Sequence, residues 1–253
     1  MIIDLPKVTH LNSLWSLWKR SFGDTEDFIA DFSRTAFSAD RCMCAFEGGK
    51  VIASLFWFDC AYLGERVAYI YAVSTDQEYR GKGVGKKLMR HTHAHLKTLG
   101  YLGAILVPST SSLFDFYEKL GYKTCSSVRE FSCLPSENEA FIEEISAKEY
   151  AKQRRSLLPC GSVLQEDESI DFLSVQATLY KGRDFVLAAR KKGDELFGIE
   201  LLGNVDAAPD IVLSMGCRKG IFRTAGDGRP FAVYLPLRDQ NHPAPSYFGL
   251  AFD

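Results

Sequence analysis

No stretch of this 253-residue chain is both apolar and long enough, about 20 residues, to cross a bilayer. The start, MIIDLPKVTH, carries Asp4 early and leads into no apolar core, so no signal peptide is expected there. Net charge is scarce too. Thirty Lys and Arg against 32 Asp and Glu leave -2 at pH 7, too little field to steer nucleic acid or an anionic membrane. No C-x-x-C pair occurs either. The seven cysteines, Cys42, Cys44, Cys60, Cys125, Cys133, Cys160 and Cys217, are scattered and odd in number, which speaks against a disulfide framework or a zinc site. The expectation is a cytoplasmic protein with no metal, membrane or nucleic-acid partner; its oligomeric state is left open. What is present is an ordinary globular balance, 46% apolar and 25% charged, with length for one large domain or two modest ones.

Helical spacing appears first, at Leu11, Leu14, Trp15 and Trp18 within 10–22, and at Phe28, Ile29, Phe32 and Phe37 within 25–37. The period then changes. CMCAFEGGKVIASLFWFDCAYLGERVAYIYAV reads as three antiparallel strands turning at Gly48-Gly49 and near Leu63-Gly64-Glu65. The third strand, 67–74, runs into YRGKGVGKKLM, after which Val84, Leu88, Met89, Thr92 and Leu96 recur at helical spacing up to Gly100. A short apolar strand at 102–107 and a helix at 112–120, stopped by Gly121, complete a strand, loop, helix, strand crossover. Beyond Cys133 a charged connector passes into a helix, and a boundary is expected there: 1–132, a connector 133–148, then 149–253. The last part predicts a helix near 167–179, a hairpin turning at Lys192-Gly193-Asp194, a short helix at 209–215 and a hairpin turning at Gly226-Asp227-Gly228. It repeats the hairpin, helix, strand rhythm of the first part without its glycine loop.

The loop fits neither of the better-known phosphate patterns. A Walker loop requires glycine where Arg80 stands and a hydroxyl where Lys87 stands, and a dinucleotide fingerprint requires a spacing other than Gly81-x-Gly83-x-Gly85. R-x-x-G-x-G does fit, as Arg80, Gly83 and Gly85. Placed between a strand and a helix, such a segment offers unpaired N–H groups and the positive end of a helix dipole to an anion. On the loop alone, a tight turn with solvated lysines is an equally good reading.

YIYAVSTDQEYRGKGVGKKLM, followed by SSLFDFYEKLGYK, resembles the GNAT acetyltransferase superfamily over about the first 130 residues. The resemblance implies an α+β GNAT fold, a mixed and mostly antiparallel sheet flanked by helices, with acetyl-CoA as cosubstrate. It places Arg80, Gly81, Lys82, Gly83, Val84, Gly85 and Lys86 on the pyrophosphate. It also places Ala72, Val73 and Ser74 beside the thioester, between two splayed strands, with the backbone N–H near Val73 facing the carbonyl. Tyr117 occupies the position of the family's general acid, although by spacing alone it reads as a core aromatic.

Two positions depart from the family pattern. Thr110 stands where an asparagine often contacts the cofactor arm, and Val67 stands where histone-type members carry a glutamate base. The second half is reminiscent of the enhanced-intracellular-survival type of two-part GNATs, in which a terminal carboxylate serves as base. By that likeness Asp253 becomes a second catalytic candidate, with a plain exposed end as the alternative. His91 and His95 share a helical face, but without a third ligand they read as solvated, and His93 points away. Trp15, Trp18, Phe56, Trp57 and Tyr62 could line an acceptor cleft or simply fill a core. The expected activity is transfer of an acetyl group to a primary amine of a small molecule or protein. The rivals are a non-catalytic acyl-CoA binding module and, disfavoured by the absence of a basic stripe, an aminoacyl or peptidyl transferase acting on transfer RNA.

Overall fold

The computed structural model describes residues 1–238 and 242–252. In chain order its elements are β1 (Ile2–Asp4), α1 (Leu11–Phe22), α2 (Glu26–Thr35), β2 (Cys42–Glu47), β3 (Lys50–Tyr62), β4 (Glu65–Thr75), α3 (Val84–Thr98), β5 (Gly103–Leu106) and α4 (Ser111–Glu118). There follow β6 (Lys123–Cys133), β7 (Glu143–Glu144), α5 (Ala147–Leu157), β8 (Leu164–Gln165), α6 (Glu168–Gln176), β9 (Thr178–Lys181), β10 (Phe185–Lys192), β11 (Glu195–Gly203), α7 (Ala208–Ser214), β12 (Lys219–Ala225) and β13 (Arg229–Pro236). The architecture is α+β with mostly antiparallel strand pairs, as the resemblance implied. Among the described residues no helix is long and apolar enough to cross a membrane.

The chain divides into two compact units. Unit 1 holds 1–123 and, of the described residues, a returning segment at 233–238 and 242–243. Its meander is β1 to β4, all antiparallel, and β5 joins β4 in parallel after the α3 crossover. The Thr25 hydroxyl caps α2 by accepting from Phe28 N, with Glu26 and Asp27 in the first turn complementing the dipole. Trp18, Phe32, Phe56 and Phe58 pack ring against ring between these helices and the sheet. Trp18, Phe56, Trp57 and Tyr62 are all buried, and Trp15 stacks parallel on Phe56, so the candidate cleft aromatics fill a core. On the other side of the sheet, Leu88, Met89 and Leu96 of α3 join Trp57, Leu106 and Tyr117 in a second cluster.

Unit 2 holds 124–232 and 244–252 of the described residues. The Gly193 turn joins β10 to β11 antiparallel as expected, and β12 lies parallel to β11. The strands around Gly226-Asp227-Gly228 correct the sequence reading: they form no hairpin, because β6 lies between β12 and β13. In unit 1, Val233–Pro236 pairs instead with β5. A Gly-Asp-Gly turn reports only a reversal of direction, whereas strand partners are chosen by long-range packing that leaves no local mark.

A buried polar cluster ties α5, β11 and the tail of unit 2 together. Arg154 donates to both carboxylate oxygens of Glu200, from Nε at 2.6 Å and Nη2 at 3.0 Å, and both side chains are almost wholly buried. Tyr150 (3.2 Å) and Tyr247 (2.9 Å) donate their hydroxyls to the same carboxylate. Gln165 exchanges two hydrogen bonds with the Leu250 backbone. The tail residues Tyr247, Phe248, Leu250 and Ala251 are accordingly buried.

Candidate active site

The loop that opens α3 is held from both ends. Asp76 leaves β4 with its N–H on Ile52 O, accepts from Glu78 N at 3.2 Å and pairs with Arg20 of α1 at 2.9 Å. That arginine holds the Asp76 carboxyl below the usual carboxylate range. Arg80 turns back and donates from Nε to Thr75 O at 3.0 Å, so its guanidinium braces the loop it belongs to. Gly81 and Gly83 take φ of +74° and +76°, a region where a Cβ is strained by about 1–2 kcal/mol. Two reversals within three residues bring the chain to the first turn of α3.

That turn leaves its amides open. Gly83 caps the helix without a side chain, no acidic residue sits in the first turn, and the first intrahelical bond is Lys87 N to Gly83 O at 3.1 Å. The N–H groups of Val84, Gly85 and Lys86 therefore lack helical acceptors, at the positive end of a 15-residue helix. A Cβ on Gly85 would lie 3.2 Å from Thr75 Oγ1, which shows how closely the helix start approaches the end of β4. Lys82 lies over the Tyr79 ring at 5.4 Å, and Lys86 and Lys87 are exposed.

Beside that turn, β4 and β5 part. Their register runs only from Val67↔Gly103 to Tyr69↔Ile105, although β4 continues to Thr75. On the other flank β3 pairs Phe56 with Tyr71 and Ser54 with Ser74, so β4 carries one residue more than β3 across this interval. The surplus is a bulge at Ala72–Val73. Ala72 takes φ +48°, a strained conformation for a non-glycine residue, of the kind that gathers at functional sites. Ala72 and Val73 are half-buried, whereas Ser74 is buried with its hydroxyl 3.0 Å from Ser54 Oγ, so its side chain serves the strand pair.

Tyr117 lies on α4, 6% exposed, in the cluster that contains Leu106 and Val84 and has Val73 packed at its margin. Burial pushes its phenol up to about 12, and its hydroxyl makes no hydrogen bond to any described residue. Thr110 is the exposed N-cap of the same helix, with its hydroxyl 3.0 Å from Ser112 Oγ. Val67 is fully buried on β4. Asp253 lies outside the described residues.

His93, which the helical spacing sets off the His91–His95 face, turns inward. Its Nε2 and the Tyr122 hydroxyl are 2.8 Å apart, and Tyr122, itself buried, packs edge-on against Tyr117 at 5.7 Å between centroids. Spacing on α3 marked His93 only as off the His91–His95 face, and its partner lies 29 residues downstream. Burial lowers the His93 imidazole to about 4. Because the folded pKa is below the unfolded ~6.5, the unfolded chain takes up this proton first as pH falls. Stability is then complete above about pH 6.5 and declines towards pH 4, by at most about 3 kcal/mol. Urea unfolding of His93→Gln, which keeps a polar partner for Tyr122 and does not titrate, should be flatter across this window than wild type. An equally steep decline in the variant would discharge His93 from the effect.

Comparison with known proteins places this geometry. Residues 3–125 match a family model described as an acetyltransferase (GNAT) domain. A glucosamine 6-phosphate N-acetyltransferase of Trypanosoma brucei brucei is 33% identical over 98 residues, which cover 38% of this chain and 66% of that protein. A GCN5-related N-acetyltransferase of Anabaena variabilis superimposes with a TM-score of 0.72 at 16% identity, over 94% of this chain and 73% of that one. For Eis1 of Mycobacterium abscessus the TM-score is 0.67 at 12% identity, over 94% and 74%. The two superpositions speak for the fold and not for a substrate.

Proposed function

The chain belongs to the GNAT acetyltransferase superfamily through residues 3–125, and from that premise we propose that it transfers an acetyl group from acetyl-CoA to a primary amine of a small molecule or a protein. The observation that carries the reading is the open first turn of α3 set beside the parting of β4 and β5. The backbone of Gly81–Lys86 takes the pyrophosphate, with Arg80 fixing the loop rather than gripping the ligand. The domain read as 149–253, behind the connector 133–148, is an accessory to this site and has no such loop.

In the proposed reaction the amine nitrogen attacks the thioester carbon, a C–N bond forms and the C–S bond breaks. Charge on the carbonyl oxygen meets the backbone N–H near Val73, where the bulge leaves one backbone group more than the β3 ladder can pair. The departing thiolate takes its proton from the Tyr117 hydroxyl, and the amine gives up one of its own. With Val67 standing where such a strand carboxylate would be, no residue is assigned to receive that proton. The transfer is direct, with no acyl-enzyme.

Thiol release from acetyl-CoA against a panel of amines, including an amino sugar phosphate, a polyamine and a lysine peptide, tests the reading. Amine-dependent release is expected with at least one class. Binding of coenzyme A with no release from any amine would favour the non-catalytic binding module.

A further inference from the structure

Unit 2 repeats a sequence of steps found in unit 1: an antiparallel pair, a crossover helix, and a strand joining in parallel. It also repeats the parting. The register of β11 with β12 runs from Glu195↔Lys219 to Gly198↔Phe222 and stops, although β11 continues to Gly203 and β12 to Ala225. At that place lies a cavity of about 400 Å³. Its floor is Phe197, Ile199 and Ile221, all half-buried, and its walls are Leu173 of α6 and Phe252 of the tail.

The rim is cationic. Among the described residues that line the cavity, Arg190, Lys192 and Arg223 stand with a single acid, Glu130. That carboxylate is already shared between Arg229 at 2.7 Å and Arg223 at 3.1 Å, and Arg229 and Arg223 hold it down at about 2. Arg190 is steadied by its Nε on Gln176 O at 2.8 Å, and among the described residues no carboxylate forms an ion pair with Arg190 or Lys192. The crossover here is the seven-residue α7, with no glycine loop before it, so nothing resembles the pyrophosphate seat of α3. The occupant that matches is a single anion on a flexible apolar body, in a volume within the range of small-ligand sites.

We propose that this cavity is a second ligand site that binds a medium- to long-chain carboxylate, its chain over Phe197, Ile199 and Ile221 and its carboxylate at Arg190 and Lys192. Apolar burial then scales with chain length, and the two cations select the charged head group. The site is independent of acyl transfer in unit 1.

Calorimetry on the full chain with octanoate, decanoate and dodecanoate, below their micelle concentrations, tests the proposal without any activity readout. Saturable binding is expected, tightening about three- to fourfold per added methylene. The double variant Arg190→Glu, Lys192→Glu, changed only at exposed positions, should bind dodecanoate at least tenfold more weakly, with dodecanol indifferent to the change. Ile221→Asp should lose binding at unchanged thermal unfolding, and Ile199→Asp serves the same purpose should Ile221→Asp fail to fold. The proposal is overturned if dodecanoate shows no saturable binding, or if the double variant binds it as wild type does. A dimer in gel filtration that Ile221→Asp dissolves would assign the face to a second copy of the chain and also overturn it.

Discussion

Glu200→Ala is expected to cost about 3–5 kcal/mol of stability, because it leaves Arg154 charged, buried and unpaired. Arg154 is held in its charged form by Glu200, against a burial that opposes that charge. The loss reaches further than one ion pair. Glu200 also accepts from Tyr150 and Tyr247, and both phenols are raised well above their ordinary range by burial, so they persist as neutral donors. Removal of the carboxylate strands three donors at once and frees Tyr247 from β11. The tail from 244 onward should then become protease-sensitive before the rest of unit 2. Arg154→Met combined with Glu200→Leu should recover much of the loss, since an apolar pair of similar volume leaves no buried charge. Urea unfolding of the two single variants and the double variant checks this. A double variant as unstable as Glu200→Ala would show that packing and the stranded Tyr150 and Tyr247 hydroxyls, and not the unpaired charge, dominate the loss. Gly249→Ala probes the same cluster from the tail, where an added Cβ collides with the Glu200 carboxylate and the Tyr247 hydroxyl.

Tyr117→Phe should lower kcat by about a hundredfold or more while leaving KM for acetyl-CoA little changed, as expected of a group that acts on the departing sulfur rather than on the bound ground state. The phenol stands at about 12, whereas an ordinary thiol ionises near ~8.5, so full proton transfer to a solvated thiolate would be uphill by about 5 kcal/mol. Two consequences follow. The proton moves only as the C–S bond breaks, in a pocket whose burial raises the thiolate as it raises Tyr117. And Tyr117 stays protonated well above neutrality, so its titration adds no falling limb to kcat between about pH 7 and 10. An unchanged kcat in Tyr117→Phe at matched stability would remove Tyr117 from the reaction. A variant that lost activity in proportion to its fold would identify the residue as a core aromatic.

Elements whose cause is local could be read directly from the sequence. Gly81 and Gly83 stand where the backbone takes φ that other residues avoid, and the apolar spacing from Val84 to Leu96 is the buried face of α3. The meander followed from its turn residues and its runs of aromatic and branched side chains, and its Lys192-Gly193-Asp194 counterpart in unit 2 did so equally well. Where the cause lies far along the chain, the sequence carried little sign. The bulge at Ala72–Val73 depends on the register with β3, and alanine at positive φ gives no compositional hint of it. Tyr122 finds His93 across 29 residues, Glu200 finds Arg154 across 46, and Val233–Pro236 reaches back to β5. Asp76 is intermediate. Its capping of the turn at Gln77–Tyr79 follows from its side chain, but its partner Arg20 comes from α1. The lysines of the loop are conspicuous in sequence, but the groups that lack helical acceptors are the amides of Val84, Gly85 and Lys86.

The measurement that bears most directly on the donor site is calorimetry of coenzyme A against wild type and Gly83→Asp. An aspartate there strains the left-handed position and places its own carboxylate on the first-turn amides of α3, the groups assigned to the pyrophosphate. Wild type should bind coenzyme A, and the variant, still folded with a loss of no more than the ~1–2 kcal/mol strain of a Cβ at this φ, should bind it at least tenfold more weakly. Failure of wild type to bind, or equal binding by the variant, would contradict the assignment of this loop to the acyl donor.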